Sequence, residues 1–313
     1  MCDAMWIMAA ALPLALLIDA VWGEPPAWLH PVVGMGKYLS WCGGWLLKQG
    51  PLLAFSLGAL AWIVGAVSVS WIAWFVQETI LCELHPVLAA MLLAVLLKPL
   101  LAWRMLRQEV LAVEAALSES LDAGRERLAR LVSRDVSGLS EVQVRESAIE
   151  SLAENLNDSV VAPIFWFVLL GLPGAAVYRF ANTADAMWGY HGRWEWAGKW
   201  AARADDLLSW LPARLTALLL AVLAGGVSLK TLRQQARHTP SLNSGWPMAA
   251  MALALGVNLR KPGVYALHAA GRPPELADTA HAAVLASKVL VALLVFASAA
   301  IVLIATFVTG GRV

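Results

Sequence analysis

A series of apolar runs as long as a bilayer is thick limits how this chain can fold. The runs cover residues 4–22, 52–76, 86–103, 211–229 and 289–308. About 20 apolar residues in a helix span the roughly 30 Å hydrocarbon core of a membrane. Only 14% of the 313 residues are charged, well below the roughly 25% of soluble proteins. The sequence therefore predicts an all-α polytopic membrane protein with about 4–6 transmembrane helices, plus re-entrant or amphipathic helices.

Basic residues orient these predicted spans. Seven arginines lie between residues 104 and 145, and short basic loops stay on the cytoplasmic side. We interpret residues 1–313 as one multi-pass domain of the bacterial inner membrane, with a cytoplasmic helical insert at about residues 104–159. The amino terminus is then expected outside and the active site inside. A net charge of +1 gives no indication of a nucleic-acid partner.

The topology of residues 160–180 and 211–257 stays open at this stage. Residues 160–172 are apolar but only thirteen long before Leu172-Pro173-Gly174, which favours a re-entrant helix over a full span. The polar loop 182–209 would then remain cytoplasmic. Residues 230–281 are also basic, so either the run 211–229 folds back, or residues 246–257 cross, or one polar loop faces out.

Acidic residues recur at four-residue intervals in an otherwise apolar chain: Glu146, Glu150, Glu154 and Asp158, here called the acidic row. Residues four apart share one face of a helix, and like charges at that spacing repel. Ser140 with Gln143 predicts a capping box at the start of this helix. The apolar residues lie on another side, so we expect the acidic row to stay wet. The repulsion between these carboxylates is compensated either by nearby arginines or by a divalent cation or a bound basic group.

Six segments, in order, resemble the CbiB/CobD family of cobalamin-biosynthesis membrane proteins. The chain departs from the usual family pattern at Ser159, where glycine is common, and at Ser244, where alanine is common. Both changes replace one small residue by another. The matching segments are LHPVVGMG (29–36), RDVSGL (134–139), ESLAENLNDSVVAPIFW (150–166), PGAAVYRFANTADAMWGY (173–190), ARADDLLSWLPARLTA (202–217) and SLNSGWPMAAMALALGV (241–257).

This resemblance implies an adenosylcobinamide-phosphate synthase, an acid–amine ligase. The family joins the propionate carboxyl of adenosylcobyric acid to the amine of (R)-1-aminopropan-2-ol O-phosphate or of ethanolamine phosphate, and it is regarded as ATP-dependent. The implied partners are thus a corrinoid, an aminoalcohol phosphate and membrane lipid, while assembly into a homo-oligomer stays open. The rival interpretations are a corrinoid transporter and a non-catalytic sensor like the AmpE-type proteins.

Phosphoryl transfer needs Mg²⁺ held by carboxylates and cations on the phosphate oxygens. We expect Glu150, Glu154 and Asp158 to carry Mg²⁺, with catalytic carboxylates added from a second segment: Asp185, Asp205 and Asp206. The chain contains no GxxxxGK[ST] motif for ATP. Candidate substrate-binding residues are Arg145, Asn155, Asn182, Arg193, His238, Asn243 and Trp246.

Several of these assignments have a plainer alternative. Arg179 and Arg214 are further candidates for phosphate oxygens, although membrane-side anchoring is the better interpretation for Arg214. The loop from His238 to Trp246, with Met248, forms either a corrinoid pocket or a contact with the membrane. His191 and His238 are candidate general bases for the attacking amine.

Overall fold

The computed structural model describes residues 2–190 and 192–310, so His191 lies outside the described residues. Across these residues the chain forms twelve α-helices, one β-hairpin, a short 3₁₀ turn at Lys98–Leu100 and a π-helical turn at Asn157–Val161. The helices and strands are α1 (Cys2–Trp22), α2 (Pro31–Leu46), α3 (Pro51–Glu83), α4 (Pro86–Leu97), α5 (Trp103–Glu119), α6 (Leu121–Leu128), α7 (Glu141–Leu156), α8 (Ala162–Trp188), α9 (Lys199–Ala224), α10 (Leu229–Ala236), α11 (Gly245–Leu255), β1 (Leu259–Lys261), β2 (Tyr265–Leu267) and α12 (Leu276–Gly310).

Six helical segments are long and apolar enough to cross a membrane, which confirms the predicted all-α polytopic class. The first has the predicted bounds, Ala4–Trp22, whereas others extend well past the apolar runs because polar residues continue the same helices. The remaining candidate spans are Pro51–Glu83, Pro86–Glu119, Glu141–Trp188, Lys199–Ala224 and Leu276–Ile304.

The repeated tetrapeptide Leu-His-Pro-Val starts two helices in the same way. His30 and His85 are the N-caps of α2 and α4, and each is followed by proline at the first helical position. Each imidazole Nδ1 accepts a hydrogen bond from a backbone N–H two residues later, at 3.3 Å in α2 and 3.4 Å in α4. Proline suits this position because its missing N–H would be unpaired there in any case.

The chain divides into two compact units. Unit 1 comprises the described residues of Met1–Ala102, Ala162–Ser209 and Leu294–Val313, and unit 2 comprises Trp103–Val161 and Trp210–Leu293. In unit 1, α1 packs on α4, and α8 packs on α2 and α3. Its core includes fully buried aromatic side chains of α8, among them Tyr178, Phe180 and Trp188.

Helix α8 reverses direction at Gly171. This residue has φ 69° and ψ −157°, a conformation outside the helical region. Trp166, before the reversal, donates its indole N–H to the Leu208 carbonyl at 3.0 Å, and Tyr178, after it, lies 3.0 Å from the Ser209 hydroxyl. A Cβ on Gly174 would collide with the Trp166 carbonyl, although a straight helix would separate these residues by about 12 Å. The short apolar run therefore folds back at Leu172-Pro173-Gly174, as the sequence predicts.

Unit 2 is built around α7, which packs against α5, α11 and β1. All residues from Val144 to Ala153 are buried, so the prediction of a wet acidic face is wrong for this part of α7. The preceding helical segment breaks in two, because α5 ends at Glu119 and Ser120 caps α6. Likewise, the expected polar loop 182–209 is helical except for about ten residues between α8 and α9.

An ion pair and a hydrogen bond within unit 2 join the two basic segments whose membrane sides were left open above. Arg260 donates to Glu146 at 2.9 Å, and the Thr279 hydroxyl donates to Glu114 at 2.7 Å. The two basic segments, around residues 104–145 and 230–281, therefore share one unit. Helix α11, with eleven residues, is about 17 Å long, too short to cross a bilayer alone.

Candidate functional site

The first two members of the acidic row are buried and paired with arginines. Glu146 is fully buried, and one carboxylate oxygen accepts from Arg260. Glu150 is 4% exposed and accepts from Arg134 at 3.4 Å. A second oxygen of each carboxylate is buried without a hydrogen-bond partner among the described residues. Of the two alternatives for the acidic row, charge compensation by nearby arginines is the one observed for Glu146 and Glu150.

The last two members of the row have a different environment. Glu154 is half-buried, and its carboxylate makes no hydrogen bond or ion pair in the described part of the chain. Asp158 is half-buried in the π-helical turn, where Asn157 donates to it at 2.8 Å. Single π-helical turns occur frequently at functional sites. Glu154 is therefore the carboxylate of the row that the protein leaves open to a further cation.

The β1–β2 hairpin, Leu259–Leu267, places polar groups beside the row. Lys261 lies close enough to attract the Glu154 carboxylate electrostatically. The Tyr265 hydroxyl lies 3.7 Å from the Met248 sulfur. Burial and the neighbouring Glu150 carboxylate raise the pKa of Tyr265 well above its ordinary value, so its phenol stays protonated and remains a hydrogen-bond donor.

The turn before α7 shows why the RDVSGL segment has its sequence. The Ser137 N–H donates to Asp135 at 2.9 Å, which closes a turn and lowers the pKa of Asp135. Ser140 and Gln143 then form the predicted capping box. These contacts hold Arg134 over α7, where it also donates to the Ser147 hydroxyl at 2.5 Å.

Two predicted substrate-binding residues of α7 have structural contacts. Arg145 is buried and makes a bidentate ion pair with Glu114, with its shortest N–O distance 2.7 Å, and it also contacts Glu141. Asn155 donates to the Ser151 carbonyl one turn earlier, at 3.0 Å. The guanidinium of Arg145 is thus engaged within the protein, which disfavours its predicted role in binding phosphate.

The second group of predicted residues lies in unit 1, on α8 and α9. Asn182 reaches Asp205 at 3.5 Å, and Arg179 donates to Asn182 at 3.4 Å. Asp185 lies one turn after Asn182, beside Gly189, where any Cβ would collide with the Asp185 carboxylate. The neighbouring Asp206 is half-buried. The structure thus brings two of the predicted site residues, Asn182 and Asp205, next to each other, and their roles stay predictions.

Arg193 is exposed in the turn between α8 and α9. Its guanidinium lies 5.4 Å from the centre of the Trp194 ring, a cation–π distance. Its predicted role in binding phosphate stays a prediction.

Arg214 of α9 lies between two indole rings, those of Trp210 in α9 and Trp246 in α11, and it contacts the loop between α10 and α11. The Arg214 guanidinium lies 4.4 Å from the Trp210 ring centre and 4.9 Å from that of Trp246, and it donates to Asn243 at 2.9 Å. His238 is exposed, with Nδ1 3.4 Å from the Ala266 carbonyl oxygen. Trp246 and Asn243 are thus part of a packed arginine site, and their role in binding a corrinoid stays a prediction.

The acids predicted to share one metal divide between the units: the acidic row lies in unit 2, and Asp185, Asp205 and Asp206 lie in unit 1. Among residues 2–190 and 192–310, no three His, Cys, Asp or Glu side chains are arranged to hold a metal ion together. Mg²⁺ usually keeps several waters and takes one or two carboxylates plus substrate phosphates. The magnesium site at Glu150, Glu154 and Asp158 therefore stays a prediction.

Sequence reasoning missed the residues that answer the acidic row. Arg134 belongs to the RDVSGL segment, but nothing in its spacing indicates a contact with Glu150 sixteen residues later. Arg260 and its partner Glu146 are 114 residues apart. The basic pair Arg260-Lys261 next to a hairpin turn was the available signal, and it was interpreted only as a topology marker.

The fold and these contacts define a polytopic helical membrane protein with a partly neutralised carboxylate row beside a basic hairpin. The family model described as CobD/Cbib protein matches residues 12–296. The chain belongs to the CobD/CbiB family.

Similar proteins carry names from cobalamin biosynthesis. The probable cobalamin biosynthesis protein CobD of Pyrococcus furiosus is 40% identical over 272 residues, which covers 87% of this chain and 91% of that protein. The cobalamin biosynthesis protein CobD of Chromobacterium violaceum is 41% identical over 276 residues, covering 85% and 86%. No solved structure matches the chain.

Proposed function

We propose that this protein is an adenosylcobinamide-phosphate synthase that forms an amide at the expense of ATP. Its family membership supports a corrinoid substrate, since the relatives are named for cobalamin biosynthesis. The observation that carries the ligase assignment is Glu154. It is a half-buried carboxylate without a hydrogen-bond partner among the described residues, whereas the other carboxylates of the row contact an arginine or an amide. Such a group suits a metal–nucleotide.

The proposed reaction has two steps. A propionate oxygen of adenosylcobyric acid attacks the γ-phosphorus of ATP, which gives an acyl phosphate and ADP. The amine of the aminoalcohol phosphate then attacks the acyl carbon, the C–N bond forms, and inorganic phosphate leaves with the C–O electron pair. The amine gives up a proton to a base, because only a neutral amine can attack.

The residues would divide these tasks by charge. Glu154 and Asp158 would hold Mg²⁺, which neutralises charge on the nucleotide phosphates. Lys261, in the same unit, is a cation suited to phosphate oxygens. In unit 1, Asn182 lies 3.5 Å from Asp205, and the catalytic roles of Asp185, Asp205 and Asp206 stay predictions. His238 is exposed and remains a candidate base.

The test is amide formation by the purified full-length protein in detergent. Adenosylcobyric acid, aminoalcohol phosphate, ATP and MgCl₂ should yield adenosylcobinamide phosphate and ADP by mass spectrometry, with no product when ATP is omitted. Glu154→Gln should lower the rate at least about a hundredfold, whereas Glu126→Gln, an exposed carboxylate of the same unit, should not.

Two results would contradict the proposal. A wild-type rate for Glu154→Gln would remove that residue from the site. Uptake of labelled corrinoid by proteoliposomes without ATP or aminoalcohol, together with no amide product, would indicate a transporter. The folded state of each variant is checked by circular dichroism and gel filtration.

A further inference from the structure

Unit 1 contains a large cavity that none of the candidate site residues above line. Its volume is about 920 Å³, within the roughly 300–1,000 Å³ of small-molecule sites. Side chains of α1, α2, α3, α4 and α8 form its wall, and most are apolar, for example Met35, Val69 and Phe180. An apolar cavity of this size among membrane helices suits a hydrophobic ligand body.

One edge of the cavity is polar. Glu24 and Lys98 both line it, and the Lys98 ammonium lies 2.8 Å from Glu24 and 3.5 Å from Asp19. The Lys98 side chain is 4% exposed, so it is buried in an ion pair and does not snorkel to the surface as long lysines commonly do. His30 lies 3.1 Å from the same Glu24 oxygen that Lys98 contacts.

The second oxygen of Glu24 has no hydrogen-bond donor among the residues that the structure describes. Glu24 Oε2 contacts both the Lys98 ammonium and the His30 imidazole, whereas Oε1 is buried and has no hydrogen-bond partner among the described residues. A buried acceptor without a partner is costly, and hydrogen bonds to charged groups are stronger than neutral ones. Glu24 lines the cavity, so rotation of its carboxylate would bring this oxygen to an N–H donor of a ligand bound there. The carboxylates of Asp19 and Glu24 outnumber the Lys98 ammonium between them, which disfavours an anionic head group.

The wall of the cavity includes apolar residues that are exposed at the protein surface. Trp22, Leu29 and Ile72 line it and are also among the exposed large hydrophobic residues. Tryptophan at the end of a span is typical of the interface between lipid and water. The polar edge, in the loop that follows α1, is therefore where a lipid head group would lie.

We propose that this cavity binds an ammonium-bearing lipid, with its acyl chains against the apolar wall and an N–H donating to Glu24. Phosphatidylethanolamine has this chemistry. Phosphatidylcholine carries the same phosphate and the same positive charge but no N–H, so it is a matched probe for the donor. The proposal is independent of the amide-forming activity.

The experiment is native mass spectrometry of the full-length protein titrated with the two lipids carrying identical acyl chains. The wild type should bind phosphatidylethanolamine about tenfold more tightly than phosphatidylcholine. Glu24→Gln should remove most of this preference, whereas Glu83→Gln, an exposed carboxylate at the end of α3, should keep it. Ser68→Trp, which fills the cavity from its exposed α3 wall, should weaken both lipids.

Three results would overturn the proposal. The first is equal binding of both lipids by the wild type. The second is an unchanged preference in Glu24→Gln, and the third is displacement of the lipid by free ethanolamine, which would indicate a head-group site alone. Because Ser68→Trp leaves the ion pair intact, unchanged lipid binding by this variant would contradict the cavity assignment even if Glu24→Gln failed to fold.

Discussion

Arg145 and Glu114 form a buried ion pair in unit 2, with side chains 7% and 12% exposed. Removing one partner of such a pair leaves an uncompensated buried charge, at a cost of about 3–5 kcal/mol. Arg145→Met should therefore lower the free energy of unfolding by that amount. Replacing both, as Arg145→Met with Glu114→Gln, should recover much of the loss because no charge is then left alone.

Chemical unfolding in detergent, followed by circular dichroism, measures these changes. Arg130→Met is the matched control, since Arg130 is exposed, and it should change stability by no more than about 0.5 kcal/mol. If the double variant were less stable than Arg145→Met, the ion pair would not be the source of the loss.

At the scale of single residues, local contacts could be predicted and distant ones could not. The Ser140–Gln143 capping box follows from residues three apart and is present. The pairing of Glu146 with Arg260 depends on a chain reversal 114 residues later. Burial of Glu146 and Glu150 was missed for the same reason, because the arginines that pair with them come from outside α7.

At the scale of secondary structure, the reversal of α8 depends on one backbone conformation. Gly171 has dihedral angles that are essentially restricted to glycine, which cost other residues about 1–3 kcal/mol. A Cβ there would also collide with the Gln77 side chain, whose oxygen accepts from the Leu172 N–H at 2.8 Å. Gly171→Ala should therefore destabilise the protein by at least about 1–3 kcal/mol.

Gly44 provides the control for this substitution. It lies in α2 with nothing near its missing Cβ, so Gly44→Ala should be neutral or stabilise by about 0.5–1 kcal/mol. Thermal unfolding in the same detergent compares the two variants. Equal stability of Gly171→Ala and the wild type would mean that the tight reversal at this residue is not required.

The sequence clearly indicated the reversal of α8 and indicated the ends of other helices only weakly. A thirteen-residue apolar run ended by Leu-Pro-Gly is too short to cross, and the chain does fold back there. Helix bounds were predicted less well, because polar residues continue α3 to Glu83 and α9 back to Lys199. Composition indicates where a helix is apolar, and not where its backbone hydrogen bonding stops.

At the scale of the whole molecule, unit 2 makes a prediction about membrane sides. Ser137, before α7, and Val264, in the hairpin turn, are exposed, and ion pairs such as Arg260–Glu146 join their segments. Both segments are rich in arginine and lysine, which the positive-inside rule assigns to the cytoplasm. We expect both positions to face the cytoplasm.

Single cysteines test this assignment in a background with Cys2, Cys42 and Cys82 replaced by serine, since these are the three cysteines of the chain. Ser137→Cys and Val264→Cys should react with a membrane-impermeant maleimide in inverted membrane vesicles and not in intact cells, with lysed cells as the control for reactivity. Because a shared unit cannot have its ion-paired segments on two sides of a bilayer, labelling of the two positions from opposite faces would contradict the Arg260–Glu146 contact itself. Labelling of both from outside would keep that contact and reverse the orientation, which would place the acidic row away from cytoplasmic ATP and remove the physical basis for the proposed ligase.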